Sequence, residues 1–308
     1  SRYYPMGSAA EVEYTLQGVA HNLRDDGRGR LDFRSITVDV GLFPQCAGSS
    51  RVQLGSSDVL VGVVAELAEP EEATPHAGLV SVSVGIGPSE EAALTLPSYG
   101  ADGGGTLWLE EALAPLYTSD SIPAALEALC IVPAVQCWHL RVHAQLLQCD
   151  GCPLDAMALA IRAALQHTRV PKISVGGGGE RAAGAQLDLD IDESLDESIP
   201  FDAEALPTYL TLATLGTHFV ADCSASERRA SGAALSVALN PSGHVCAMRV
   251  TGDYGIHLML LADMVQTAHA LIGELLRAAA HAIDAAVALA AARGFPYADS
   301  AMAGLLGR

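Results

Sequence analysis

The sequence predicts an α+β chain made of two β-rich halves, each closed by helices. Short runs of Val, Leu and other strand formers fall into two groups, and strongly apolar helical stretches follow each group. A single shift of composition, between Lys172 and Phe201, separates the two. The domain reading that follows is an N-terminal helix and turn over 1–30, a first half over 31–172, a Gly-rich and acidic insertion over 173–200, a second half over 201–295 and a tail over 296–308.

The first element is an amphipathic helix over 8–22, where Ser8 can cap, Glu11 follows three residues later, and Val12, Leu16 and Val19 recur at helical spacing. It stops at Arg24-Asp25-Asp26-Gly27-Arg28, a turn sequence. Strands are expected at 34–43, 50–54, 58–67 and 79–86 as a largely antiparallel meander, then a loop over 88–106 and helices near 107–117 and 122–129. A strand at 137–148 passes through Cys149-Asp150-Gly151-Cys152-Pro153 into an apolar helix over 153–167, with Pro153 and Asp155 marking its start. Strands near 207–215, 217–222, 233–240 and 244–250 and a long helix from 256 to 292 complete the second half.

Charge narrows the function. The 308 residues carry 17 basic and 36 acidic side chains, a formal net charge of −19. A free-standing nucleic-acid binder is disfavoured, because affinity for a phosphate backbone comes largely from Lys and Arg displacing counterions. Half the residues are hydrophobic, which excludes intrinsic disorder. The seven scattered cysteines and the lack of a charged-then-apolar segment at the N-terminus lead us to expect a reducing interior compartment. Asp263, Glu274, Arg277 and Asp284 interrupt the last helix, so no membrane span is expected.

Most chemical motifs are incomplete. Cys149-x-x-Cys152 has no second pair to complete a zinc site. Asp188-x-Asp190-x-Asp192 opens like a calcium loop, but Glu193 and Ile199 stand where Gly and Glu are required. The glycine runs 100–105 and 176–179 lack the Lys and Ser/Thr of a phosphate-cradling loop, and no nucleophile elbow accompanies any histidine. No metal or cofactor is therefore expected. The turn at 148–156 leads a strand into a helix N-terminus, an ordinary anion site; here Pro153 removes a donor and Asp155 places a carboxylate where a phosphate would sit.

Several motifs in order carry a resemblance. Arg24-x-Asp26-Gly27-Arg28 followed by Arg34, then Gly48-Ser-Ser-Arg51-Val-Gln-Leu-Gly-Ser-Ser-Asp58, Cys130-Ile-Val-Pro133, Cys137-Trp138, Asp150-Gly-Cys-Pro-Leu-Asp155-Ala and Thr168-Arg169-Val-Pro171 resemble the ribonuclease PH family. Leu206-Pro-Thr-Tyr-Leu-Thr-Leu, Val220-Ala-Asp222-Cys-Ser224-x-x-Glu227 and Asn240-Pro-Ser-Gly243 continue it, so that it spans about 10–290. Within the family, Gln17-Gly18-Val19 and the Cys-Trp pair look most like a ring subunit of the eukaryotic RNA exosome.

The resemblance implies two ribonuclease PH-like α+β halves in one chain. It implies partners as well: other ribonuclease PH-like subunits in a hetero-hexameric ring, RNA-binding cap subunits, an associated exoribonuclease, and RNA threaded through the assembled channel in nucleus, nucleolus and cytoplasm. Active relatives hold phosphate on a Thr-Arg-Thr/Ser turn, whereas the matching positions here are Pro153, Leu154 and Asp155. Asp222 matches one catalytic acid, but its second partner is missing from Arg228-Arg229-Ala230-Ser231-Gly232-Ala233. The helix that guides RNA in active members carries Glu110 and Glu111 and no base here. We therefore expect a non-catalytic scaffold subunit, the alternative being a phosphate-dependent exoribonuclease subunit that contributes to a composite active site. Arg24, Asp26 and Arg28 are expected to form an ion-pair set around a left-handed Gly27, the alternative being RNA contact by Arg24 or Arg28. Arg51 and Arg169 are candidates for a channel contact or, alternatively, for core ion pairs.

Overall fold

The structure, a computed structural model, describes residues 9–87, 104–175, 189–191, 198–252 and 254–292. Helix α1 (Ala9–Ala20) ends in a Schellman motif: Leu23 N donates to Gly18 O at 2.9 Å, Asn22 N donates to Val19 O at 3.0 Å, and Asn22 takes a left-handed φ of 57°. A side chain at position 18 would collide with the Leu23 carbonyl, which is why glycine stands there.

Four strands follow, β1 (Ile36–Val40), β2 (Gly48–Leu54), β3 (Ser57–Ala68) and β4 (Leu79–Ile86). Helix α2 (Gly104–Leu113) runs into a 3-10 turn at Ala114–Tyr117, and α3 (Pro123–Glu127) leads to β5 (Cys130–Val132) and β6 (Gln136–Gln148). The sheet order β1-β2-β3-β6-β4, with β5 on β6, corrects the expected meander. Strand β6 inserts between β3 and β4, antiparallel to the first and parallel to the second. The excursion through α2 and α3 makes this possible, because a parallel neighbour needs a long crossover that a hairpin cannot supply. Alternation along β3 and β6 turns Val59, Val61 and Val63 together with Leu140, Val142 and Leu146 into the core.

Helix α4 (Pro153–Gln166) is the centre of the molecule. Twelve of its fourteen residues are buried, because it packs on β2 and β3 with one side and on the second sheet with the other. Its many alanines permit that close approach: a Cβ at Gly48 would strike the Ala164 carbonyl and Thr168 Oγ1.

The stretch read as an insertion, 173–200, takes part in two small ladders. Strand β7 (Arg169–Val170) pairs with β10 (Ile199–Pro200), and β8 (Ile173–Val175) pairs with β9 (Leu189–Ile191). The glycine runs at 100–103 and 176–179 and most of the acidic run, including Asp188 and Asp192, lie outside the described residues, as do 1–8 and the tail over 296–308.

The second sheet has the order β12-β11-β13-β14, all antiparallel, with β11 (Thr208–Leu215), β12 (His218–Ala221), β13 (Ala233–Leu239) and β14 (Val245–Gly252). Helix α5 (Ala225–Ala230), not foreseen as an element, fills the β12–β13 connection. Helix α6 (Leu258–Ala292) buries Met264, Ala268, Ile272, Leu275, Ala279, Ile283 and Ala286, one stripe at three- and four-residue spacing, and lays it across β1, β11 and β13. The stripe therefore laces the first half to the second.

Candidate functional site: an ion-pair seam between the halves

The residues singled out by sequence meet where the turn after α1, the start of α4 and the β12–α5 corner converge. Arg24 N donates to Arg28 O at 3.1 Å, Gly27 N donates to Arg24 O at 2.9 Å, and Gly27 adopts φ 83°. Arg28 pairs with Asp26 at 2.7 Å, as expected. Burial opposes ionisation of Asp26, but the hydrogen bonds from Arg28 outweigh it and hold the carboxyl below its usual range.

Arg24 departs from the expected set. Its side chain has no exposed surface and leaves Asp26 aside, reaching Glu227 203 residues away with Nε to Oε1 at 2.7 Å and Nη2 to Oε2 at 2.5 Å. Nη1 donates to the Ala221 carbonyl and Nη2 to that of Asp222, both at 2.9 Å. A planar guanidinium with five donors is suited to tie a bidentate carboxylate and exposed carbonyl groups of a strand end at once. The Arg24 guanidinium is thus spent on contacts within the chain. Glu227 acts locally as well, where its Oε2 accepts from Ser224 N at 2.8 Å and closes the capping box of α5.

Asp222 sits at the corner with φ 46°, a left-handed conformation that Asp tolerates better than most residues. Its carboxylate is 1% exposed. It accepts from Arg34 N at 2.8 Å, Arg34 Nε at 2.9 Å and Arg34 Nη2 at 2.5 Å, with Arg28 Nη1 at 3.4 Å. Arg34 also donates to Asp150, at 2.9 Å to Oδ2 and 2.6 Å to the carbonyl, while Asp150 Oδ1 accepts from Ala225 N at 2.7 Å. Burial alone would lower the Arg34 pKa, but bonding and charge from Asp222 reverse the sign and raise it. Arg34, Asp150 and Glu227 are the functional residues of this seam that the sequence left without roles; the Ser224-x-x-Glu227 spacing was a signal for the cap, but none existed for pairing across the chain.

The turn before α4 completes the seam. Gly151 has φ 103° and lies so close to the Cys223 carbonyl that no side chain fits. Cys152 and Cys223, both buried, bring their sulfurs to 3.2 Å, and the neighbouring thiol together with burial keeps Cys152 protonated. Leu154 is 1% exposed. Asp155 corrects the expectation that its carboxylate would occupy an open anion site. It is 2% exposed and turned inward, where Oδ2 accepts from Thr211 N at 2.8 Å and Oδ1 from Thr211 Oγ1 at 2.7 Å. Burial pushes its pKa up to about 7 against the opposing Thr211 bonds. The cause is the position of the first turn, which lies against β11 of the second sheet, where Thr211 meets the carboxylate.

The other candidates lie apart from the seam. Arg51 on β2 pairs with Asp58 on β3 at 2.5 Å and is 43% exposed, a surface pair and not a core one. Arg169 on β7 is exposed, with Nη1 3.5 Å from Ser198 Oγ. Glu110 of α2 points at the sheet, where its Oε1 accepts from Val84 N at 2.7 Å. Chemically, the seam holds its acids and bases in mutual pairs, with three arginines against Asp26, Asp150, Asp222 and Glu227.

Comparisons with known proteins agree with this architecture. Residues 32–171 match the family model described as the 3' exoribonuclease family, domain 1, and residues 205–270 match its domain 2. A putative exosome complex exonuclease RRP42 of Dictyostelium discoideum is 25% identical, covering 85% of this chain and 93% of that protein. An exosome complex component Rrp42 of Pyrococcus abyssi is 28% identical, covering 89% of this chain and 95% of that one. Among solved structures, the Archaeoglobus fulgidus exosome with RNA bound to the active site contains a chain that superposes with a TM-score of 0.67 at 25% identity, over 87% of this chain and 96% of its own.

Proposed function

From a chain that belongs in both halves to the 3' exoribonuclease family, the ribonuclease PH fold, we propose a non-catalytic subunit of the hexameric ring of an RNA exosome. It supports 3'-to-5' RNA processing and degradation, including ribosomal RNA maturation and messenger RNA turnover, by scaffolding the ring and helping to thread RNA. Its partners are ring neighbours of the same fold, RNA-binding caps and an associated exoribonuclease, and it works in nucleus, nucleolus and cytoplasm. Similarity to proteins named as Rrp42 exosome components supports the assembly.

One observation carries the non-catalytic reading. Asp222, the only matched catalytic acid, is 1% exposed and paired with the backbone and guanidinium of Arg34, with Arg28 beside it. An acid that must arrange a metal or the reacting end of RNA has to face the substrate, and this one is buried against its own arginine. Leu154, an apolar buried residue where active relatives hold phosphate with Arg, supports the same conclusion.

A phosphorolysis assay with the purified chain tests it. We expect no release of nucleoside diphosphates from RNA with inorganic phosphate. Phosphate-dependent release that disappears in a folded Asp222→Asn variant overturns the non-catalytic reading. Purification of the tagged chain should recover a six-membered ring with its caps, and a fluorescent fusion should mark nucleolus, nucleoplasm and cytoplasm.

A further inference from the structure

Cys152 and Cys223 lie in the seam but outside its ion pairs, and the fold brings their side chains together from 71 residues apart. Cys152 is the N-cap residue of α4, in the part of the chain that matches family domain 1. Cys223 follows Asp222 at the β12–α5 corner, in the part that matches domain 2. Their sulfurs are 3.2 Å apart, and Cys152 Sγ also lies 3.6 Å from the Cys223 carbonyl. A disulfide bond is about 2.0 Å long, so the sulfurs need to close a gap of only about 1.2 Å. Their backbones are already adjacent, because Gly151 rests on the Cys223 carbonyl with no room for a side chain between them.

The surroundings keep the pair reduced while the seam is closed. Cys152 is 1% and Cys223 0% exposed, and both sit in a small apolar cluster with Val19 of α1, Leu215 of β11 and Val220 of β12. The hydrogen bond with Cys223, burial, and the charges of Asp155 and Asp222 hold the Cys152 thiol well above its ordinary pKa. The reactive thiolate is therefore scarce, and an oxidant meets it through local opening of the seam. A zinc site fits these atoms less well. Two thiolates on one zinc ion stand about 3.8 Å apart, given Zn–S bonds of about 2.3 Å, and among the described residues no group of three or more His, Cys, Asp or Glu is placed to hold a metal.

We propose that Cys152 and Cys223 form an oxidation site: a dithiol that a small disulfide of the oxidised glutathione class converts to a disulfide bond, fastening the two halves of the chain together. One protein thiolate attacks the small disulfide, expels a small thiolate and forms a mixed disulfide. The second protein thiolate then attacks the protein sulfur of that bond and expels the other small thiolate. Two electrons and two protons pass from the pair to the oxidant, which leaves as two thiols. The new bond closes a loop across the seam and so restricts the unfolded chain more than the folded one. This site does not depend on the ring reading above.

The test holds the purified, folded chain in glutathione buffers of rising oxidised fraction, quenches with acid, alkylates the remaining thiols under denaturing conditions and maps the peptides by mass spectrometry. The expected product is a linked pair of peptides carrying Cys152 and Cys223, two hydrogens lighter than the separate thiol peptides and released by dithiothreitol. The oxidised chain should melt at least about 3 °C above the reduced chain. A folded Cys223→Ala variant should lose both the linked pair and the shift; mapping of the unaltered chain decides the matter even where that variant does not fold. Recovery of Cys152 and Cys223 alkylated or bound only to glutathione overturns the site. So does a bond confined to Cys130 and Cys137, which face one another across the β5–β6 ladder within the first sheet. A Cys152–Cys223 bond that leaves the melting temperature unchanged or lowers it overturns the fastening of the halves.

Discussion

Asp222 and Asp155 are both buried acids near the seam, yet they carry opposite physics. Asp222 is held by a guanidinium; Asp155 is held only by a backbone N–H and a hydroxyl. Replacing Asp222 with Asn keeps a residue that accepts the left-handed backbone but leaves the Arg34 charge buried without its main partner. We expect a loss of about 3 kcal/mol in urea unfolding. For Asp155 the unfolded carboxyl titrates near 3.8 and the folded one near 7. Between those values the folded chain keeps a proton that the unfolded chain has released, so this group's stabilisation is full below about pH 4 and is lost as pH rises through about 7. The stability difference between the chain and an Asp155→Asn variant, which cannot titrate, should therefore shift in favour of the variant across that window, as read by chemical denaturation at several pH values.

At the scale of elements, the short helix α5 and the turn before α4 hold the seam in place. With only six residues, α5 has too few internal bonds to persist alone, so its cap and its packing decide whether it forms. Ser224→Ala should cost about 1 kcal/mol and speed hydrogen exchange at Glu227, the residue whose N–H the Ser224 hydroxyl accepts. Gly151→Ala combines a left-handed backbone with a collision against the Cys223 carbonyl. Since neither backbone can move without separating the halves, we expect a loss of about 3 kcal/mol or more, or a chain that fails to fold, measured by melting temperature and soluble yield.

For the whole molecule, α4 and α6 each contact both sheets, and the seam adds ion pairs between segments about 200 residues apart. Neither half has a core closed without the other. Both tryptophans, Trp108 and Trp138, lie in the first half, so their fluorescence should follow its unfolding, and circular dichroism that of both halves. The two urea transitions should coincide; separated midpoints would show that the halves fold independently. Much of this architecture was legible in the residues: strand alternation, the Asp-Gly turn, the apolar stretch after Pro153 and the ordered motifs fixed the α+β class and the family. Local signals suffice there because periodicity and turn chemistry act over a few residues. Other features depended on chain segments far apart in sequence. The insertion of β6 beside β4, the reach of Arg24 past Asp26 to Glu227, the pairing of Asp222 with Arg34 and the inward turn of Asp155 each depend on which distant group arrives at a given point. A side chain's charge state and partner are set by the surroundings that folding assembles, and those surroundings are a property of the packed molecule.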